Sequence, residues 1–509
     1  MDAFEEITAG YATEGGALEL GSAVVDGNVR AEARVRLPLA TLNRHGLIAG
    51  ATGTGKTKTL QLMAEQLSAA GVPVVMADVK GDLSGLSRPG AGGDKVSKRA
   101  AETGDDWQAA GFPVQFLSLG EGGSAVPVRA TITSFGPILL SKVLGLNDTQ
   151  ESTLGLIFHW ADSRGLPLLD TKDLRSVIQH LTGDEGKEDL KGLGGVSSAT
   201  AGVILRALLN LEANGGDTFF GEPSLDPADL MRVDGDRGVI SLLELAELQG
   251  NPALFSTFLM WLLAQLFHQL PEEGDLDQPK LVFFFDEAHL LFAGASKAFL
   301  EQIVQTVKLI RSKGVGVFFC TQLPTDVPNS VLSQLGARVQ HALRAFTPDD
   351  QKALAQTVKT YPTTPHYDLG KALTTLGIGE AVVTVLSEQG APTPVAWTRL
   401  RPPRSLMASI GVDAVKQAAA SSSLYGKYGQ SVDRESAYEM LLAKVAPPSD
   451  APEPGGPEPE APARRKESDD PGLIGQVLGN PAVKSFLRSA GSALGREITR
   501  GIFGTSRRR

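Results

Sequence analysis

The sequence predicts an α/β protein built on a mostly parallel, helix-covered central sheet, and three observations carry that prediction. Short, nearly uninterrupted apolar runs such as Leu281–Phe285 and Val315–Cys320 are what strands buried on both faces require. Between such runs lie stretches whose apolar residues fall three and four apart, the spacing of amphipathic helices. A glycine-rich turn, Gly50–Gly55, separates the run Gly46–Ala49 from a helical pattern that begins at Lys56. Strand, glycine turn and helix in that order form the frame of a phosphate-binding loop.

Taken in order, residues 1–45 read as a small N-terminal β element, with polar and apolar positions alternating around Asp26-Gly27, a two-residue hairpin signal. Residues 46–445 form the core domain. Its strands are expected at Gly46–Ala49, Val72–Ala77, Val114–Leu119, Gly238–Leu243, Lys280–Asp286, Val315–Thr321, Glu380–Leu386 and Val395–Leu400, and its helices at Lys56–Ala70, Asn251–Leu270 and Ala298–Ser312. A helical insertion spans about 134–235, and its clearest helices are Thr149–Ala161 and Ser198–Ala213. Residues 446–470 shift to Pro, Glu, Ala and Gly and read as a flexible linker, too poor in apolar residues to fold. Residues 471–509 form a basic tail, with Lys484, Arg488, Arg496, Arg500 and Arg507–Arg509 against the single acid Glu497. A solvated tail, docking on nucleic acid or another acidic partner, and association with a membrane surface all fit that charge.

Gly50-Ala51-Thr52-Gly53-Thr54-Gly55-Lys56-Thr57 matches G-x-x-x-x-G-K-[ST] in full. Glycines allow backbone conformations closed to other residues, so successive N–H groups can converge on phosphate oxygens, and the helix that follows adds its positive end. The expected nucleotide-binding set is Gly50, Thr52, Gly53, Thr54, Gly55, Lys56, Thr57 and Lys58. Lys56 would reach the β- and γ-phosphates and the Thr57 hydroxyl would bind Mg²⁺. Two adjacent acids, Asp286 and Glu287, end the run Leu-Val-Phe-Phe-Phe; carboxylates are costly at the end of a buried strand unless they work or lie at its exposed edge. Asp286 suits a Mg²⁺ ligand, and Glu287 the general base that polarises a water. Thr321-Gln322 closes the next strand, where this polar pair could sense the γ-phosphate or orient water; a simple strand-ending turn, helped by Pro324, is the alternative. Asp78 and Asp82 face the same crevice or cap a turn. Arg311, Arg338, Arg344 and Arg44 are the candidates for an arginine supplied by a neighbouring subunit, each equally readable as a surface arginine.

These segments in this order resemble the HerA/FtsK superfamily of P-loop ATPases, and within it the HerA-like bacterial proteins of the YjgR type. The likeness rests on Leu42–Gln61, Asp78–Leu83, Phe283–His289 (Phe-Phe-Phe-Asp-Glu-Ala-His) and Gly316–Phe346, and extends over about 15–445. The resemblance implies a RecA-like sheet of the additional-strand catalytic Glu type, ATP and Mg²⁺ as cofactors, a hexameric ring and ATP-driven movement along double-stranded DNA. It also implies a polar sensor, here Gln322, and an arginine acting in trans, placed at Arg311. Fuller members carry an N-terminal β-barrel for assembly and nuclease docking. The residues before the phosphate loop are too few for one, which argues against a nuclease partner.

Composition narrows the alternatives. With 42% hydrophobic and 21% charged residues the chain of 509 can bury a sizeable core, and a net charge of −10 argues against wholesale coating of nucleic acid. A basic loop at Arg88, Lys95, Lys98 and Arg99 could still line a DNA channel in a ring. Cys320 is the only cysteine, so an intrachain disulfide is excluded, and no signal or membrane segment is evident. The expected compartment is the cytoplasm. The reading is an ATP hydrolase working as a DNA translocase or helicase-like motor; an ATPase moving protein or secretion-type partners, and a nucleotide-dependent switch, are the alternatives.

Overall fold

The phosphate-loop strand lies inside a twelve-stranded sheet. The computed structural model describes residues 2–445 apart from 79–80, 191–193, 245–251, 275 and 294, so the expected linker and basic tail lie outside the described residues. The sheet contains β1 Ala17–Val25, β2 Asn28–Pro38, β3 Gly46–Ala49, β4 Val74–Asp78, β5 Val114–Leu119 and β6 Val126–Val128. After a separate two-stranded ribbon, β7 Val233–Asp234 and β8 Arg237–Gly238, it continues with β9 Ile240–Glu244, β10 Leu281–Phe285, β11 Val315–Thr321, β12 Ala337–Gln340, β13 Glu380–Thr384 and β14 Ala396–Leu400. The spatial order is β2-β1-β14-β13-β12-β3-β11-β10-β4-β9-β5-β6. From β12 to β6 every pairing is parallel; β13, β14, β1 and β2 extend the sheet antiparallel.

This order decides where chemistry can happen. Strand β11 inserts between the phosphate-loop strand β3 and the acid-bearing strand β10, in parallel register with both. The carboxyl ends of β3, β11 and β10 therefore open side by side at one edge, the place where open α/β sheets bind ligands. Every residue of these three strands is buried. Phe285 stacks on Phe319 with ring centroids 5.3 Å apart, and Phe284 leans on Phe318 at 5.4 Å, so the aromatic run of β10 locks it to its neighbour.

The N-terminal hairpin is not a separate body, because β1 pairs with β14 and so carries the main sheet outward. Its turn uses Asp26 at φ +51° and Gly27 at φ +76°, the two positive values that a tight hairpin compatible with strand twist needs. Ahead of it, α1 (Ala3–Gly10) starts on a reciprocal cap between Asp2 and Glu5. The Tyr11 hydroxyl beyond it donates to the Val383 and Pro394 carbonyls.

Two compact units are present. The first holds the sheet, and the second is helical, formed among the described residues by 131–137, 148–209 and 433–445. Within the second, helices Asp148–Ser163 and Thr171–Thr182 bury Trp160, Leu174, Val177 and Ile178. The helix Ala437–Val445 joins them, with the Tyr438 N–H donating to Asp173 at 2.8 Å. Residues 433–445, assigned from sequence to the core domain, thus belong to the helical body. Asp173 explains how: its carboxylate also caps the chain at Leu169 and Asp170, so one buried acid ties three segments.

Candidate functional site

The phosphate loop is shaped by its glycines. Gly50, Gly53 and Gly55 stand at φ +151°, +80° and +113°, in the left-handed region that L side chains avoid. A Cβ on Gly50 would lie 2.5 Å from His341 Cβ, so that position needs glycine for space as well as for conformation. Helix α2 (Lys56–Ala69) begins directly after Gly55, with no side-chain cap at its N-terminus. The loop is pinned from below and from the side. Gly50 N–H donates to the Thr321 and Gln322 carbonyls, Ala51 N–H to Ala342, and Gly379 N–H to the Thr54 carbonyl. Lys56 Nζ folds back on the Gly50 and Ala51 carbonyls at 2.5 and 3.2 Å. Its ammonium is thus held within the loop by carbonyl oxygens, partners that a phosphate oxygen can replace.

Across β11, Asp286 and Glu287 leave the end of β10 half-buried. Asp286 Oδ1 accepts the main-chain N–H of Glu287 at 2.9 Å, and Glu287 itself sits at φ +48°. Its carboxylate lies 3.4 Å from His289 Nδ1. Ala288 N–H donates to the Cys320 carbonyl, which fastens this turn to β11. Cys320 is buried between the two halves of the site. Burial pushes its thiol well above the usual range, Asp286 and Glu287 add to that, and Lys56 opposes it. Among the described residues no cluster of His, Cys, Asp and Glu forms a metal cage. One hydroxyl, Thr57, half-buried in the first turn of α2, and one carboxylate, Asp286, instead suit a Mg²⁺ shared with substrate phosphates.

The remaining expected residues divide. Gln322 is exposed at the carboxyl end of β11, with its own carbonyl on the phosphate loop. Its neighbour Thr321 is buried and donates to Asp326, which also takes the Leu323 N–H, so that hydroxyl serves the turn. Asp78 receives the Gly81 and Leu83 N–H groups, which makes it a turn cap. The Lys58 ammonium donates to Gln61 and to the Met407 carbonyl; burial lowers its pKa while Asp82 and Asp78 hold its charge. Arg344 donates to the Thr52 carbonyl of the loop. Arg311 stands at the opposite, amino-terminal edge of the sheet, just before β11, and there Arg44 and Arg338 join it around one cavity. The expected basic loop is in part a helix, α3 (Asp94–Thr103). Arg99 is turned inward onto the Ile378 and Gly379 carbonyls, which leaves Arg88, Lys95 and Lys98 exposed.

Sequence reasoning missed His341. It follows β12, a strand of four residues that pairs with β3 on the side away from β11. Its Nε2 bonds Thr59 Oγ1 at 2.9 Å, and burial together with the nearby Lys56 charge pushes its pKa down to about 4. A neutral ring therefore floors the loop without adding charge. The polar pair Gln340-His341 ending a short apolar run was the available signal. Glu65 was missed too. Buried on α2, it accepts from the Arg404 and Ser405 N–H groups and from the Ser405 hydroxyl, and burial raises its pKa to about 7. With Gln61 and Lys58 it straps residues 404–407 along the phosphate-loop helix.

Comparison with known proteins bears on the family and the fold. The family model described as helicase HerA-like, C-terminal, matches residues 25–509. The fold is similar to that of the bacterial conjugative coupling protein TrwB in its unbound monoclinic form, at a TM-score of 0.51 and 15% identity over 80% of this chain and 95% of that one. It is similar at the same TM-score and 16% identity to TrwB in complex with the ATP analogue ADPNP, over 80% of this chain and 95% of that one. VirB4 of Thermoanaerobacter pseudethanolicus aligns at a TM-score of 0.46 and 15% identity, over 76% of this chain and 97% of that one. Among curated proteins none matches the chain.

Proposed function

The chain belongs to the helicase HerA-like C-terminal family, and from that premise we propose that it is an ATP-hydrolysing motor that assembles into a ring and moves double-stranded DNA. The observation that carries the reading is the side-by-side opening of β3, β11 and β10, which sets the phosphate loop, Gln322 and the Asp286–Glu287 pair along one edge. In this reading the N–H groups of Gly50–Lys58 cradle the phosphates, and Lys56 exchanges its two loop carbonyls for β- and γ-phosphate oxygens. Thr57 and Asp286 would hold Mg²⁺, which when bound would supply neutralisation of phosphate charge. Glu287 orients a water and takes its proton as the water oxygen bonds to the γ-phosphorus and the bond to the ADP oxygen breaks. Gln322 stands where it can bond the γ-phosphate or that water. Arg311, facing away from its own loop, acts on the nucleotide of a neighbouring copy in a hexamer.

Double-stranded DNA is the proposed track, and a ring supplies what one chain lacks, because it gathers several copies of the exposed cations Arg88, Lys95 and Lys98. Among the described residues no helix is long and apolar enough to cross a membrane, in keeping with a motor proposed to work in the cytoplasm. The test is steady-state ATP turnover with and without double-stranded DNA at low and moderate salt, with Glu287→Gln as the blank. Stimulation that fades with salt is expected. Turnover above the blank but indifferent to DNA would overturn the DNA assignment in favour of a motor acting on protein partners.

A further inference from the structure

Two large apolar side chains beside the phosphate loop lie outside the core. Phe346 is 83% exposed and Ile378 75%. Both stand at the carboxyl edge of the parallel strands: Phe346 follows β12, and Ile378 precedes β13, which pairs with β12 antiparallel. The two segments are joined beneath the surface. The Leu343 N–H donates to the Leu373 carbonyl at 2.8 Å, and Leu343, Leu373 and Leu376 share one core cluster. Each segment is also tied to the phosphate loop. Arg344, two residues before Phe346, donates to the Thr52 carbonyl, and Gly379, next to Ile378, gives its N–H to the Thr54 carbonyl at 3.1 Å.

Local structure accounts for neither exposure. Phe346 comes one residue before Thr347, the cap of helix Pro348–Val358, where an apolar residue ordinarily packs on the fourth helical residue. Here that residue is Gln351, polar and exposed, so it offers Phe346 no apolar partner. Ile378 sits between Gly377 and Gly379, and Arg99 donates to the Ile378 and Gly379 carbonyls at 3.2 and 2.9 Å. The backbone is fastened there while the side chain stays outside the core.

A nucleotide bound with its γ-phosphate toward Asp286 and Glu287 on β10 has its base at the other end. Strand β3 lies between β11 and β12, so that end falls on the β12 side of the loop, where Phe346 and Ile378 stand. We infer, resting on the proposed ATP site, that these two side chains hold the base, through stacking on the Phe346 ring and apolar contact with Ile378. Neither side chain carries a donor or acceptor that distinguishes adenine from guanine. The Ile378 and Gly379 carbonyls, the nearby acceptors for an adenine amino group, already receive Arg99. The site therefore reads a purine by its face and takes ATP and GTP alike.

The test is calorimetric titration of the full chain with ATP, GTP and inorganic tripolyphosphate, the last supplying phosphates without a base. ATP and GTP should bind within a few-fold of each other. Phe346→Ala should weaken both by the same factor, roughly five- to a hundredfold, the worth of a base stacked on an aromatic ring, and leave tripolyphosphate unchanged. Phe346→Tyr, which keeps the ring, should restore both. Lys56→Ala reads the phosphate loop separately and should weaken all three ligands. Where it does, a Phe346→Ala chain that loses tripolyphosphate as much as ATP, or loses neither, overturns the inference and leaves the ATP site standing. GTP bound more weakly than ATP by about tenfold or more overturns the equal treatment of the two purines. If Lys56→Ala weakens none of the three, the ATP site itself falls and the inference with it. Phe346 is exposed, and unchanged melting temperatures confirm the fold of its variants.

Discussion

Asp286 accepts a hydrogen bond from the main-chain N–H of Glu287, and that contact accompanies a backbone turn to φ +48° at Glu287. A non-glycine residue in the left-handed region costs on the order of 1 kcal/mol or more and persists where the surroundings hold it. The two proposed roles, Asp286 toward a metal and Glu287 toward a water, fall on this one strained turn.

Glu287→Gln keeps the size of the side chain and the hydrogen bond to Asp286 while removing the base. ATP turnover should fall by about 10² or more with nucleotide affinity within a few-fold of the parent. Glu287→Gly should be equally inactive yet melt higher, because glycine adopts the same φ without penalty. Turnover assays, fluorescent-nucleotide titration and thermal melts decide it; a Gln variant that still turns over near the parent rate removes Glu287 as the base.

Among the described residues Lys56 holds no carboxylate, and it shares its ammonium between two loop carbonyls. Lys56→Ala should therefore leave the melting temperature nearly unchanged. ATP affinity should weaken by roughly ten- to a hundredfold, the worth of a charge-assisted hydrogen bond to phosphate. A melting temperature that drops along with affinity would show that the lysine is needed by the empty loop itself.

Much of this was legible in the sequence, and the reason is local. The loop between β3 and α2 announces itself through glycines whose conformations no other residue takes readily, and the Phe-rich run of β10 is too apolar for anything but a buried strand. What was not legible depends on pairing between distant segments. Strand β12 has four residues, one of them Arg338, and only its place beside β3 brings His341 under Gly50. Arg44, Arg311 and Arg338 appeared in the sequence as separate candidates for one role. The parallel order β12-β3-β11 puts the starts of those strands together, and the three meet. Residues 433–445 look like a continuation of the core until the Asp173 carboxylate is seen to hold Tyr438.

Gly50→Ala should be among the most damaging single-atom additions in the chain. The new methyl group would meet His341 Cβ at 2.5 Å and Cα at 3.1 Å, and φ +151° is strained for any L side chain. Either the loop or β12 must shift, at a cost of about 1–3 kcal/mol. Denaturant unfolding should show that loss, together with weaker nucleotide binding. His341→Ala does not rescue it, because the clash is with the Cβ that alanine retains.

The pH dependence of stability follows from the two buried histidines. His341 and His45 are each pushed down to about 4 from 6.5, mainly by burial. Their folded-state pKa is depressed, so the stability they confer is complete above about pH 6.5 and is lost as pH falls toward 4, because the unfolded chain takes up the proton first. Each contributes a slope of up to about 1.4 kcal/mol per pH unit in that window. Glu65 acts in the opposite sense. Burial raises its pKa from 4.5 to about 7, so its contribution is complete below 4.5 and fades as pH rises through 7. Between pH 4.5 and 6.5 the two histidines outweigh the one acid, and the chain should grow less stable as the solution is acidified. His341→Gln or His45→Gln should each remove one proton's worth of that slope, whatever it does to stability at pH 7. Urea unfolding at half-unit steps across the window measures it, and a slope unchanged in both variants would show that neither ring is neutral in the folded chain.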